Sequence, residues 1–444
     1  KIVEVARTQE EQCYDGTTTA IILTAELLKK AELLLESGVH PTTIVEGYRT
    51  AALKSKDFLT GMIIDPDEEM LLAIAKTAMT GKSAEGERAH LAKLCLEVVE
   101  ASRPEAVHIM TRTGAPIADS FSPNGIVVGR QKIHSAMPTS LTHVKVALID
   151  GGLELDSFGQ GVNLNLGSYS ESLEYQKGRK EALKAMADHF IELGTNLVLV
   201  TKNIDPWVAE YLARNNVVAS RRCAASNLEA IAQATNGLIV SGYEDLEEED
   251  LGVAGSMEEI IQEGQPPFML LHDTPNDDAA SLVICAPTEE VANEIRRAMD
   301  DAMGVVWVAK NDGKIVPGGS APQIEMAHHL RNYAASVGGR ESLAVSAFAE
   351  ALEIVPRTLA ENAGLSPIDT LMELRKAHSG GKDSSMCYGL NVYSGEVVDM
   401  LKEGVIEPEK VVRQAMESAT ETAVMVLRID DIISAKEPEI EDLV

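Results

Sequence analysis

Asp15-Gly16-Thr17-Thr18-Thr19 stands directly ahead of a run in which Ala20, Leu23, Leu27, Ala31 and Leu34 recur at steps of three and four, the spacing of one helix face. A helix start has free N–H groups and the positive end of the helix dipole, so it favours an anion. Glycine there allows close approach, and threonine hydroxyls add donors. This combination suits phosphate. Asp15 could also offer a carboxylate to a magnesium ion bridging phosphate oxygens, because hard cations take oxygen ligands. Read alone, the pentapeptide is more simply an Asp N-cap before a Thr-rich first turn.

Three other segments could join such a site. Val316-Pro-Gly-Gly-Ser-Ala-Pro322 makes a second glycine turn, leading into a helix with Ile324, Met326 and Leu330. Asp300 and Asp301 fall on a helix after Thr288, away from its apolar face, where a carboxylate could hold the water that attacks a phosphoryl group. Thr80-Gly-Lys82 could present an ammonium to a terminal phosphate. Each has a plain alternative: a strand-to-helix turn, solvated aspartates, a surface lysine.

The elements that must position these residues follow from periodicity and punctuation. Lys1 to Gln9 reads as helix. Further helices are expected from Thr17 to the Gly38 and Pro41 break, from Thr43 to Gly61, from about Glu68 to Met79 and from Glu87 to Ala101. Near Val107 the character changes to short β-type runs at Ile126–Val128 and Val144–Ile149. These continue as alternating strand and helix through Asn196–Val200, Pro206–Arg214, Val217–Ala219, Asn227–Gln233 and Leu238–Val240, an α/β pattern. Ser157 to Tyr175 is rich in Gly, Ser and Asn and too long for an ordinary connection. Its Phe158, Leu164, Leu166, Tyr169 and Tyr175 either form a functional flap or fold back to pack. The acidic run Glu244–Asp250 reads as solvated surface. After strands at Phe268–Leu271 and Ser281–Cys285, a helix from Thr288 carries Val291, Ile295, Met299 and Met303 on one face and leads to a strand at Val305–Ala309. Helices dominate beyond Gly318. The order α, β-rich, α lets the two helical ends fold together around an inserted middle. No short internal repeat is evident.

Composition narrows the function. The 444 residues are 45% hydrophobic and 24% charged, which excludes intrinsic disorder and allows two or three domains. With 39 Lys+Arg against 69 Asp+Glu, the formal charge of −30 repels nucleic acid and anionic membranes. There is no run of about 18 apolar residues and no secretory signal at Lys1-Ile-Val-Glu-Val. The five cysteines are scattered and never form a CxxC pair, as expected of reduced thiols in cytoplasm with no structural zinc.

Taken together and in order, these segments resemble the ATP-dependent chaperonins, specifically the archaeal and eukaryotic-cytosolic, thermosome-like group II branch, with a group III relative also open. The resemblance rests on Val5-Ala-Arg-Thr-Gln9, Asp15-Gly-Thr-Thr-Thr-Ala20, Glu46-Gly-Tyr-Arg49, Ala75-Lys-Thr-Ala-Met-Thr-Gly-Lys82, Val316-Pro-Gly-Gly319, Gly339-Arg-Glu-Ser-Leu-Ala-Val345, Ile354-Val-Pro-Arg-Thr-Leu-Ala-Glu-Asn-Ala-Gly364, Gly395-Glu-Val-Val-Asp-Met400 and Arg428-Ile-Asp-Asp-Ile432. It implies an α+β multidomain chaperonin fold. The mostly α equatorial domain would comprise 1–64 and 318–444, an α/β intermediate domain 65–125 and 287–317, and an inserted α/β apical domain 126–286, with a lid protrusion near 157–182. Identical or similar subunits would stack in two rings around non-native client proteins, with the lid built in and no separate co-chaperonin.

By position, the resemblance makes Asp15 the carboxylate of an Mg2+ and ATP site, with Gly16, Thr17, Thr18 and Thr19 on the phosphates. Asp301 orients the hydrolytic water, and Gly319 meets the nucleotide with its backbone. Asn391 and Asp399 line the base and ribose side, and Lys82 senses the terminal phosphate. The sequence departs from the family's pattern at Cys13-Tyr14, where glycine usually precedes the aspartate, and at Ser320, where a third glycine is usual. It also departs at Cys285-Ala-Pro-Thr288, where Arg-Gly-Gly-Thr is usual, and in a protrusion that the family makes more helical and charged. The family's N-terminal phosphate loop and Asn-Asp-Gly segment are absent ahead of Lys1, so the resemblance implies a subunit lacking its N-terminal segment. A chaperonin-like holding or assembly subunit with weak or no ATPase is the alternative function. A small-molecule phosphohydrolase using Asp15 is a third.

Overall fold

Helix boundaries follow the punctuation of the sequence. In a computed structural model that describes residues 2–80, 85–155, 169–261, 265–276, 279–380 and 386–429, the chain opens with α1 (Ile2–Cys13), α2 (Thr17–Glu36), α3 (Pro41–Thr60) and α4 (Glu68–Ala78). Pro41 stands at the start of α3, and Asp67 caps α4 by accepting from Met70 N–H at 2.7 Å, the two residue types that favour a helix start. Next come α5 (Arg88–Ala101), β1 (Val107–Thr113), β2 (Ile126–Val128), β3 (Ser140–Ile149), α6 (Tyr169–Glu192), β4 (Leu197–Val200), α7 (Pro206–Arg214), β5 (Val218–Ser220) and α8 (Ala225–Thr235). They are followed by β6 (Ile239–Val240), β7 (Gly252–Ile260), β8 (Phe268–His272), β9 (Ala280–Ala286), α9 (Glu289–Asp312) and β10 (Ile315–Pro317). The chain ends in α10 (Ala321–Val337), α11 (Gly339–Leu352), α12 (Ile354–Asn362), α13 (Pro367–His378), β11 (Tyr388–Leu390), β12 (Val397–Asp399), α14 (Met400–Glu403), β13 (Ile406–Pro408) and α15 (Glu409–Leu427).

These elements form two compact units, residues 1–80 with 301–444, and residues 81–300. The first unit joins both ends of the chain. Leu27 of α2, Tyr48 of α3, Leu330 of α10, Phe348 of α11 and Met416 of α15 share one fully buried core. Tyr48 donates to Leu27 O at 2.8 Å and meets Phe348 edge to face, so its hydroxyl is satisfied where burial would otherwise penalise it. Two short antiparallel pairs, β10 with β13 and β11 with β12, complete the unit.

The second unit holds a seven-stranded mixed sheet in the order β2-β8-β7-β3-β4-β5, with β6 also paired to β3. The strands β3, β4 and β5 run parallel. Their apolar runs are buried with Phe190 of α6, Leu212 of α7 and Ile231 of α8, as expected of parallel strands covered by helices. On α7, Trp207 stacks on Tyr211 with ring centroids 5.1 Å apart. The strands β1 and β9 form a separate parallel pair.

One expected strand is a helix, and one strand was not expected. Val305–Ala309 is not a strand but the end of α9, which runs unbroken to Asp312. Ile295, Met299, Ala302, Val306 and Ala309 are all buried at steps of three and four, and this tertiary burial overrides the β preference of the valines. The strand β7, Gly-Val-Ala-Gly-Ser-Met-Glu-Glu-Ile, has no strand signal of its own and is held by β3 on one side and β8 on the other.

Candidate functional site

Gly16, not Asp15, is the N-cap of α2, in the left-handed region at φ 82°, and no side chain caps this helix. The first-turn N–H groups are therefore left to a ligand or solvent. The Asp15 carboxylate accepts from Gly16 N–H at 2.7 Å, and the residue is exposed. Behind the loop, the fully buried Gln9 donates through Nε2 to Asp15 O at 2.8 Å and to Val411 O at 3.1 Å, which clamps α1, the loop and α15 together. A side chain at Gly16 would approach Gln9 Nε2 to 2.8 Å and Val411 to 2.9 Å. Both space and φ thus demand glycine.

This loop edges a cavity of about 320 Å³ within the first unit, within the size range of small-ligand pockets. Asp15, Gly16, Thr18 and Thr19 line one part of it and Gly318, Gly319 and Ser320 another, with Thr358 and Asn362 from α12 and Glu407 from β13 between them. Burial pushes the Glu407 carboxyl up to about 8, and the charge on Asp15 adds to the shift. Ionising Glu407 beside the charged Asp15 is therefore costly, and a hard cation would offset that cost. Among the described residues no cluster of three or more His, Cys, Asp or Glu is poised as a metal site. Asp15 and Glu407 offer the cavity hard oxygen donors, the kind magnesium takes when it keeps waters and shares phosphate oxygens.

The glycine turn is fixed by its neighbours. Gly318 N–H donates to Val405 O at 2.8 Å, and Gly319 O accepts from Leu390 N–H at 2.9 Å. A Cβ on Gly319 would lie 2.6 Å from Met400 Sδ and 2.9 Å from Leu390 O. Ser320 keeps φ 66° and serves as N-cap of α10, so the serine adopts the left-handed geometry that glycine takes more easily.

The structure brings together Asp15, Gly16, Thr18, Thr19 and Gly319, with Thr17 in the same helical turn. Asn391 and Asp399 lie on the β11–β12 hairpin fastened to Gly319 and do not line the cavity. Asn391 bonds Glu403 at 3.2 Å, while Asp399 caps α14 through Leu401 N–H at 3.2 Å and pairs with Lys402 at 3.0 Å. Asp301, half-buried on α9, does not line the cavity either. Lys82 lies outside the described residues. So does most of the Gly/Ser-rich stretch, whose described end is the start of α6, where Leu173 and Tyr175 are 49% and 41% exposed. Sequence reasoning missed Glu407, Thr358 and Asn362. The one signal for Glu407 was a carboxylate between the apolar Ile406 and Pro408 of a short strand.

Behind α12, the fully buried carboxyl of Glu353 is clasped by Arg331, by Arg375 (Nε at 2.7 Å) and more loosely by Arg357 at 3.9 Å. Burial works against its charge, but the hydrogen bonds from Arg375 and Arg331 outweigh it and hold the carboxyl below the ordinary range.

Residues 1–437 match the model of the TCP-1/cpn60 chaperonin family. The chain is 43% identical to thermosome subunit 1 of Haloferax volcanii over 98% of this chain and 78% of that one. It is 41% identical to the thermosome subunit beta of Methanothermobacter thermautotrophicus, over 98% and 81%. The open-state monomer of a group II chaperonin from Methanococcoides burtonii superposes with a TM-score of 0.74 at 36% identity, covering 94% of this chain and all of that one.

Proposed function

This chain belongs to the TCP-1/cpn60 chaperonin family and is an ATP-hydrolysing molecular chaperone of double-ring assemblies, and from that premise we propose how its residues carry the cycle. ATP lies in the cavity at the start of α2, its phosphates on the uncapped N–H groups of Thr17, Thr18 and Thr19 and on their hydroxyls. Asp15, with Glu407 across the cavity, holds Mg2+, which when bound neutralises phosphate charge. Gly319 approaches the nucleotide with its backbone, Asn391 and Asp399 face its base and ribose, and Lys82 senses the terminal phosphate. Asp301 orients the attacking water and reaches the nucleotide only when the subunit closes, so hydrolysis is coupled to a conformational step.

Residues 1–64 and 318–444 serve as the equatorial domain, 65–125 and 287–317 as the intermediate domain and 126–286 as the apical domain. The apical domain carries a lid near 157–182 that replaces any separate co-chaperonin. The location is cytoplasmic. No helix among the described residues is long and apolar enough to cross a membrane.

The observation that carries the reading is the uncapped α2 start, with Asp15 and Glu407 on one cavity. In full-length assembled protein, magnesium-dependent ATP hydrolysis is expected, and Asp301→Ala should abolish it with the rings intact. Rings that hold unfolded protein but never turn over ATP would overturn it.

A further inference from the structure

We propose that Tyr14 is a positioning residue that sets the spacing between the phosphate loop and the helical segment carrying Asp301; the proposal rests on the site reading above. Tyr14 closes the end of α1 by donating from its N–H to Glu10 O at 3.0 Å, then turns the chain into Asp15 through φ 58°. That left-handed geometry disfavours an aromatic side chain. The ring lies against the backbone of α9 at Gly304, where a Cβ would overlap its Cβ, Cγ and Cδ1. Gly304 is itself disfavoured inside a helix of 24 residues. Two local penalties therefore meet at one contact, and strain held by surrounding structure clusters at working sites.

The contact has a direct geometric consequence. Tyr14 immediately precedes Asp15, and Gly304 lies three residues beyond Asp301, one turn along the same helix face. The ring is thus a spacer between the loop that carries one carboxylate and the turn that carries the other. Removing it lets α9 settle against the loop; thickening Gly304 drives them apart. Either change moves Asp301 relative to the phosphates without touching the nucleotide.

The test measures ATP turnover, ATP affinity, thermal stability and ring assembly for the full-length chain and its variants. Tyr14→Ala should lower kcat by about 10- to 100-fold, the size expected of an ångström-scale misplacement, with KM, melting temperature and rings unchanged. Tyr14→Phe should restore turnover. Gly304→Ala should lower kcat as well, and the double variant Tyr14→Ala/Gly304→Ala should be no worse than Tyr14→Ala alone. Unchanged kcat in Tyr14→Ala, or kcat and melting temperature falling together, overturns the proposal. Asp301→Ala in the parent chain separates the two levels. If it abolishes turnover while Tyr14→Ala does not, only the spacer role fails. If it leaves turnover intact, the site reading fails and the spacer role with it.

Discussion

Glu407 is the titrating group whose protonation belongs to the fold. Its folded value of about 8 lies above the ordinary 4.5, so the folded chain keeps a proton that the unfolded chain releases. Stability must then fall as pH rises from about 5 to about 8. Glu407→Gln should flatten that slope in chemical denaturation and stabilise the nucleotide-free chain near pH 8; an unaltered slope would remove Glu407 as its source. Gly16→Ala should cost about 1–2 kcal/mol from the positive φ alone, and the crowding against Gln9 should weaken ATP binding in calorimetry. At this scale the sequence was legible where chemistry is local. Asp15, Gly16 and the threonines announced the start of a helix, but which residue caps α2 depended on one φ angle. Glu407 was invisible because its altered proton affinity comes from burial and from a charge almost four hundred residues away in the chain.

Elements were legible in proportion to their self-sufficiency. The amphipathic helices α2 and α3 and the strands β2, β4 and β8 carry their own periodicity. The end of α9 and the strand β7 do not, and each takes its state from its partners. The site depends on the same kind of support, since α12 lines the cavity while Glu353 ties its start to α10 and α13 through Arg331 and Arg375. Glu353→Ala leaves partly exposed arginines without their carboxylate and should destabilise the chain by about 1–3 kcal/mol, the worth of hydrogen bonds to a charged group. Its folded value is depressed, so this contribution is present above about pH 4.5 and is lost as pH falls through the folded value. Parent and variant should therefore converge in stability on acidification. A constant difference down to low pH would exclude the ion cluster as the cause.

At the scale of the molecule, the acidic chain forms two units, one assembled from both termini and one from a continuous insertion, which suits the proposed split of nucleotide chemistry in one part and client handling in the other. Leu173 and Tyr175, exposed at the start of α6, offer the apolar surface an unfolded chain would seek. Leu173→Ser with Tyr175→Ser should weaken suppression of client aggregation, followed by light scattering, while ATP turnover without client stays the same. Undiminished suppression would place capture elsewhere. The insertion was readable from the α, β-rich, α order; the precise division of labour was not, because domain edges are set by packing, not by local sequence.

The unbroken α9 also gives the molecule its own spectroscopic instrument. The chain has two tryptophans, one in each unit: Trp207, stacked on Tyr211, and Trp307, one turn beyond the glycine that receives the tyrosine ring. Trp207→Phe leaves Trp307 as the one tryptophan, on the helix of Asp301, so tryptophan-selective emission changes on adding Mg-ATP would time that segment's movement without any attached dye. The reverse replacement, Trp307→Phe, would follow the second unit through Trp207 in the same solution conditions. Silence from Trp307 throughout the cycle would mean that the helix around it stays still while ATP is consumed.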